Sequence, residues 1–161
     1  MPRHGLCQRG FTLIELMVTL TILAVLASVA LPLSQIAATR NREEQLRQAL
    51  WQIRSGIDAY KQAVDDGRVT KSLDETGYPP TLKVLVDGIK DAKDPTGKKI
   101  YFLRRIPRDP FCDCASKLDE ETWGQRSYAS PADTPAEGRD VYDVYSYSTG
   151  VGLNGIPYRN W

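Results

Sequence analysis

The sequence predicts an α+β protein in which a long N-terminal helix, membrane-spanning in its first half and kinked near Pro32, packs its second half against a small antiparallel sheet. Three observations predict it. Between Arg9 and Arg40 the only charged side chain is Glu15. From Leu46 to Val64 apolar side chains recur at spacings of three and four, the period of one helix face. Beyond residue 65 lie eight of the ten prolines and seven of the eight tyrosines, the composition of a loop-rich region with short strands. The 161 residues carry 21 Lys+Arg and 20 Asp+Glu, a formal charge of +1, so no excess charge points to nucleic acid. The one histidine, His4, precedes the apolar segment in residues expected to be removed. What remains cannot host a Ser-His-Asp triad, a Cys-His pair or a histidine-ligated zinc, and no enzyme is expected.

Residues 11 to 33 hold 17 apolar side chains plus Pro32 and as helix would span roughly 30 Å or slightly more, one bilayer crossing. Arg3 and Arg9 precede them with no acid, which holds residues 1 to 10 in the cytoplasm and places the chain after about residue 34 outside it. A cleavable secretory signal ending at Ser28-Val29-Ala30 is the alternative; Glu15 near the start of its apolar core and Pro32 just past its cut weigh against it. A carboxylate in hydrocarbon is costly unless paired or protonated. With residues 1 to 10 gone, Glu15 has no cation on its own helix, but a free amine on Phe11 of a neighbouring copy supplies one if the helices assemble staggered. Pro32 leaves the carbonyl of Ser28 without its helical donor and predicts a bend near residue 28.

Residues 34 to 65 continue the helix. Leu46, Leu50, Ile53, Ile57, Tyr60 and Val64 form its stripe, with Arg42, Glu43, Arg47, Arg54, Asp58 and Lys61 largely elsewhere and Glu43 ordered for an i,i+4 pair with Arg47. Unbroken except at Pro32, residues 11 to 65 would reach about 80 Å. Asp65-Asp66-Gly67 ends the helix. Residues 66 to 161 are the head. Residues 78 to 88 predict a short helix started by proline, with Thr81 near its N-terminus and Gly88 at its end. Lys99–Leu103 predicts a strand leading to the turn at 106–111, and residues 140–147 a second strand with Tyr142, Val144 and Ser146 on one face. A sheet of three or so strands on the helix stripe follows.

Gly10-Phe11-Thr12-Leu13-Ile14-Glu15, after a short basic leader and before an unbroken apolar helix, resembles the class III signal of type IV pilins and type II secretion pseudopilins. The resemblance implies a pilin-like fold, a leader (1–10) cut by prepilin peptidase between Gly10 and Phe11, N-methylation of Phe11, and pairing of Glu15 with that amine as the chains polymerise through residues 11 to 33. Tyr78-Pro79, then Ile106-Pro107-Arg108-Asp109-Pro110-Phe111, Trp123-Gly124, Ser127-Tyr128, residues 140–146 and Asn160-Trp161 are similar, in the same order, to the head of the G-type major pseudopilin. The function implied is a structural subunit of a type II secretion pseudopilus. It waits in the inner membrane with its head in the periplasm and works with an assembly platform and other pseudopilins. Loss of the leader leaves 19 basic against 20 acidic residues, a charge near −1. A type IV pilus subunit and a membrane-anchored periplasmic binding module that never polymerises are the alternatives.

The resemblance also implies a C-terminal loop closed around calcium, carried onto Asp143, Ser146, Ser148 and the loop to Asn154. Thr149-Gly150-Val151-Gly152 supplies no carboxylate to such a site, and a Gly-rich turn held by its own backbone bonds is the other reading. Without Cys7, Cys112 and Cys114 form a C-x-C pair with three fates: a local bridge, disulfides to another subunit, or half a metal site. Asp119-Glu120-Glu121 reads as a solvated run. Arg104, Arg105 and Arg108, beside Asp109 and without interleaved aromatics, do not make a nucleic-acid surface, so none is expected.

Overall fold

The computed structural model describes residues 11–161, with the side chains of 29–32 left out; the leader, and with it Gly10, lies outside the described residues. Two compact units divide the chain, residues up to 39 and Arg40–Trp161, and one helix, α1 (Leu13–Asp65), contributes to both. Its helical assignment continues through position 32, whose side chain is among those left out, so the expected bend there stays an expectation.

In the second unit the predicted stripe is the core: Leu46, Ile53 and Ile57 are almost wholly buried, and Leu50, Tyr60 and Val64 nearly so. α1 stops where Gly67 takes a positive φ of 69°. The short helix α2 (Leu82–Asp87) forms where proline and Thr81 predict it, buries Leu82 and Leu85 against the stripe, and ends at Gly88. Gly88 has φ 71°, and a Cβ there would sit 2.8 Å from the carbonyl oxygen of Ile100, so the position requires glycine twice over. Gly56 on α1 acts by smallness alone, since a Cβ would lie 2.8 Å from Leu103 Cγ and push that side chain off the helix.

The single sheet of about three strands is instead two separate antiparallel ladders. β1 (Ile89–Lys90) pairs with β2 (Lys99–Ile100), and β3 (Trp123–Arg126) pairs with β4 (Asp143–Ser146) with Trp123 opposite Ser146 and Arg126 opposite Asp143. The strand expected over Lys99–Leu103 stops at Ile100 because the amides of Phe102 and Leu103 both donate to the Leu85 carbonyl, finishing α2 rather than extending a ladder. β4 is likewise shorter than residues 140–147, because the Val141 amide leaves the ladder for the Pro79 carbonyl. Val144 and Ser146 face inward as the alternation predicts.

Candidate functional site

In the first unit, α1 begins with Thr12 as its N-cap: the Thr12 hydroxyl accepts the Glu15 amide at 3.3 Å, and its carbonyl accepts the Leu16 amide at 3.2 Å. Glu15 occupies the first turn, where the helix dipole favours a negative charge. The hydroxyls of Thr19, Thr21 and Ser28 donate back to the carbonyls of Leu16, Met17 and Val25 at 2.7–3.0 Å, so they ask nothing of the surroundings and let the helix enter hydrocarbon. Phe11, Leu13 and Ile14 are more than 70% exposed, and Leu16, Met17, Leu20, Leu23 and Leu26 more than half. This stretch of α1 is long and apolar enough to cross a membrane. Such a surface is satisfied by lipid, by like helices, or by both.

In the second unit, the C-terminal loop is fastened from several sides. Residues Val151 and Pro157 form an isolated bridge, Gly152 donates to Ile156 at 2.9 Å and Tyr158 to Gly150 at 3.1 Å. The Tyr158 ring stacks on Phe111 with centroids 4.1 Å apart, and Trp161 meets its edge at 5.2 Å. Glu43 is buried beneath the loop. Its Oε1 accepts the Leu153 amide at 2.7 Å and the Tyr158 hydroxyl at 3.0 Å, while Arg47 approaches Oε2 only to 3.9 Å. The expected i,i+4 pair with Arg47 is present at that distance, but Glu43 points inward rather than outward. It lies one step before Leu46 on the stripe, and its phase, not its charge, decides which way it points. Arg54, half-buried, ties the strand and the chain end to α1 by donating to Asp143 Oδ1 (2.7 Å), the Val144 carbonyl (3.2 Å) and the Trp161 carbonyl (2.8 Å).

Burial first, and then the hydrogen bond and charge of Glu43, hold the Tyr158 phenol above its ordinary value of 10.0. Because the raised group is neutral when protonated, its contribution to stability is complete below about pH 10 and is lost as pH rises through the raised value. A difference titration of phenolate absorbance between the wild type and Tyr158→Phe should place Tyr158 above ordinary tyrosine, and Glu43→Gln should move it part of the way back. An unshifted midpoint in both proteins would contradict the bond.

The calcium donors inferred from the resemblance do not come together as a cation site. Asp143 Oδ1 is taken by Arg54 and by the Val144 amide, and Arg126 lies 3.3 Å from Oδ2, so two guanidiniums face that carboxylate. The Ser146 hydroxyl donates to Oδ2 of buried Asp109 at 2.6 Å, and the Ser148 hydroxyl accepts the Gly150 amide at 3.3 Å. Among the described residues no group of three or more His, Cys, Asp or Glu is placed to hold a metal. These residues do not fit calcium. Cys112 and Cys114 form a bridge to each other, the first of the three fates, and the loop they close is held by Arg108, which donates to the carbonyls of Cys114 and Lys117 and pairs with Asp119 at 3.2 Å. Arg108 is thereby spent inside the head rather than grouped with Arg104 and Arg105. Glu121 donates its amide to the Leu118 carbonyl and accepts the Leu118 amide, so the acidic run of the 3₁₀ turn Asp119–Thr122 is partly structural.

The prokaryotic N-terminal methylation motif matches residues 6–31. The type II secretion system core protein G of Dickeya chrysanthemi is 32% identical over 108 residues, 65% of this chain and 63% of that one, so the match spans just under two thirds of the relative. The protein of the same name from Pseudomonas aeruginosa is 30% identical over 144 residues, 83% of this chain and 89% of the other, and that from Vibrio cholerae 27% identical over 96% and 92%. The chain belongs to the type II secretion system core protein G family. No solved structure matches it.

Phe11 is exposed just before the helix, Thr12 caps it and Glu15 lies in its first turn. Thr12 was legible as the Thr-x-x-Glu pattern of a helix start, a signal that a reading intent on the charge of Glu15 passes over. Arg54 gave no signal, because its three acceptors lie 89 to 107 residues away in sequence.

Proposed function

We propose that this chain is a structural subunit of a type II secretion pseudopilus. Prepilin peptidase cuts it between Gly10 and Phe11 and methylates the new amine, and the mature chain stays in the inner membrane with its head in the periplasm. An assembly platform then adds it, with other pseudopilins, to a short filament. The observation that carries the proposal is the uncovered apolar surface of residues 11–28, opening on a capped first turn that holds a single acid. An apolar helix with one carboxylate suits a bundle of like helices in which each copy supplies the next one's counter-charge, and it suits a lipid-facing anchor poorly. Membership of the core protein G family supports the same reading. So does the Cys112–Cys114 bridge, which closes its own short turn instead of the long C-terminal loop that a true pilus subunit fastens with a disulfide.

Mass spectrometry of the natural product tests the processing step. The expected product starts at N-methylated Phe11, and Gly10→Val should retain the leader, about 1 kDa heavier. A product starting at Met1 or at Leu31 would overturn the reading. Photo-cross-linking from residues 11–33 tests assembly: an ordered ladder of oligomers is expected, and a monomer alone would make the chain a simple anchor.

A further inference from the structure

A calcium site gathers oxygens around a positive charge, with carboxylates and carbonyls turned inward. The C-terminal loop of this chain has the opposite polarity. It turns a backbone N–H, that of Leu153, and a phenol O–H, that of Tyr158, toward one buried negative charge on α1, the Glu43 carboxylate, at 2.7 and 3.0 Å. Three of the loop carbonyls are engaged elsewhere: Gly150 accepts Tyr158 N–H, Gly152 accepts Gly155 N–H, and Ile156 accepts both Gly152 N–H and the Trp161 indole. Both donors reach Glu43 from segments more than a hundred residues along the chain, so the carboxylate joins α1 to the C-terminal loop as a bound ion would. Charge-assisted bonds of this kind are the strong ones, and a buried carboxylate stripped of its donors is costly, so loop and helix hold each other.

We infer that Glu43 takes the place of a metal ion in this chain: its carboxylate locks the C-terminal loop onto α1, and the head closes without calcium. The inference does not depend on whether the chain forms filaments. The loop also carries its own reporter. Leu153, about half exposed, itself carries the pinned amide and is a chymotrypsin site once the loop opens.

The test uses the full chain in detergent, cut with chymotrypsin in chelator or in about 1 mM CaCl2, a concentration at which even weak extracellular calcium sites fill. Cleavage after Leu153 is followed by mass spectrometry. The wild type should be cut at the same slow rate in both media. Glu43→Ala should be cut about tenfold faster or more, with no protection from calcium. Tyr158→Phe, which removes one donor and keeps the ring on Phe111, should be cut severalfold faster and answers the question if Glu43→Ala does not fold. Faster cutting of the wild type in chelator, calcium protection of Glu43→Ala, or unchanged cutting of Tyr158→Phe would each overturn the inference.

Discussion

Glu15→Gln is expected to leave a processed, membrane-resident chain that does not polymerise, as Glu15→Val should. The pair of variants separates two jobs for the acid. As the third residue of a helix capped by Thr12, position 15 is where either Glu or Gln completes a capping box, so glutamine preserves the helix start while removing the charge. If Glu15 acts only on its own helix, Glu15→Gln assembles normally and Glu15→Val loses a few tenths to about 1 kcal/mol of local stability. If it neutralises the Phe11 amine of the next subunit, both variants leave that amine unpaired in an apolar bundle, at a cost of a few kcal/mol per junction. Each ~1.4 kcal/mol is a factor of ten in association, so filament yield should drop by about tenfold or more in both. Electron microscopy of sheared filaments, with N-terminal mass spectrometry to show that processing is intact, reads the result. Wild-type filament yield from Glu15→Gln would assign the residue to the cap and remove the proposed pairing.

What was legible in the sequence followed period and punctuation. The stripe from Leu46 to Val64 and the exposed apolar run before it are statements about a 3.6-residue repeat, and a repeat survives whatever packs on it. α2 was legible because proline, Thr81 and Gly88 fix its ends by backbone conformation, independent of partners. The ladders were not, because two-residue pairings such as β1–β2 are set by where neighbouring amides find acceptors, and Leu85 drew those of Phe102 and Leu103 away from the expected strand. β3, with the sequence Trp-Gly-Gln-Arg, has no β-branched residue to mark it and is a strand because β4 lies beside it. The same division holds at the site. Gly10, Phe11 and Glu15 form a local motif, legible in the sequence within the residues that the methylation motif matches. Glu43, Arg54 and Asp143 are defined by partners far along the chain, and the local pairing of Glu43 with Arg47 carries no sign of its bonds to Leu153 and Tyr158.

Trp123→Ala should bring the head close to unfolding, whereas Trp51→Ala should leave it nearly unchanged. Trp123 is 1% exposed and its indole N–H donates to the Pro107 carbonyl at 2.8 Å, so it anchors β3 and the turn before Phe111 together. Truncation removes the largest fully buried side chain of the head, at about 3–5 kcal/mol, and strands a carbonyl at a further ~1 kcal/mol. Against a total of about 5–15 kcal/mol this lowers the melting temperature by roughly 10–20 °C. Trp51 stands on α1 beside the stripe but off its phase, is 73% exposed, and its removal is expected to change stability by under about 0.5 kcal/mol. Trp123→Phe, which keeps most of the volume and loses the indole donor, should fall between them at about 1–3 kcal/mol. Near-ultraviolet circular dichroism of the detergent-solubilised chain on heating orders the three. Because Trp123 faces Ser146 across the ladder, and the Ser146 hydroxyl joins the Phe111 amide in satisfying buried Asp109, a collapse at position 123 should also release the C-terminal loop. Chymotrypsin cleavage after Leu153 should rise in Trp123→Ala at temperatures where Trp51→Ala is still protected. Equal protection in the two would mean that the loop is held by α1 alone, with the β3–β4 ladder contributing nothing to its closure.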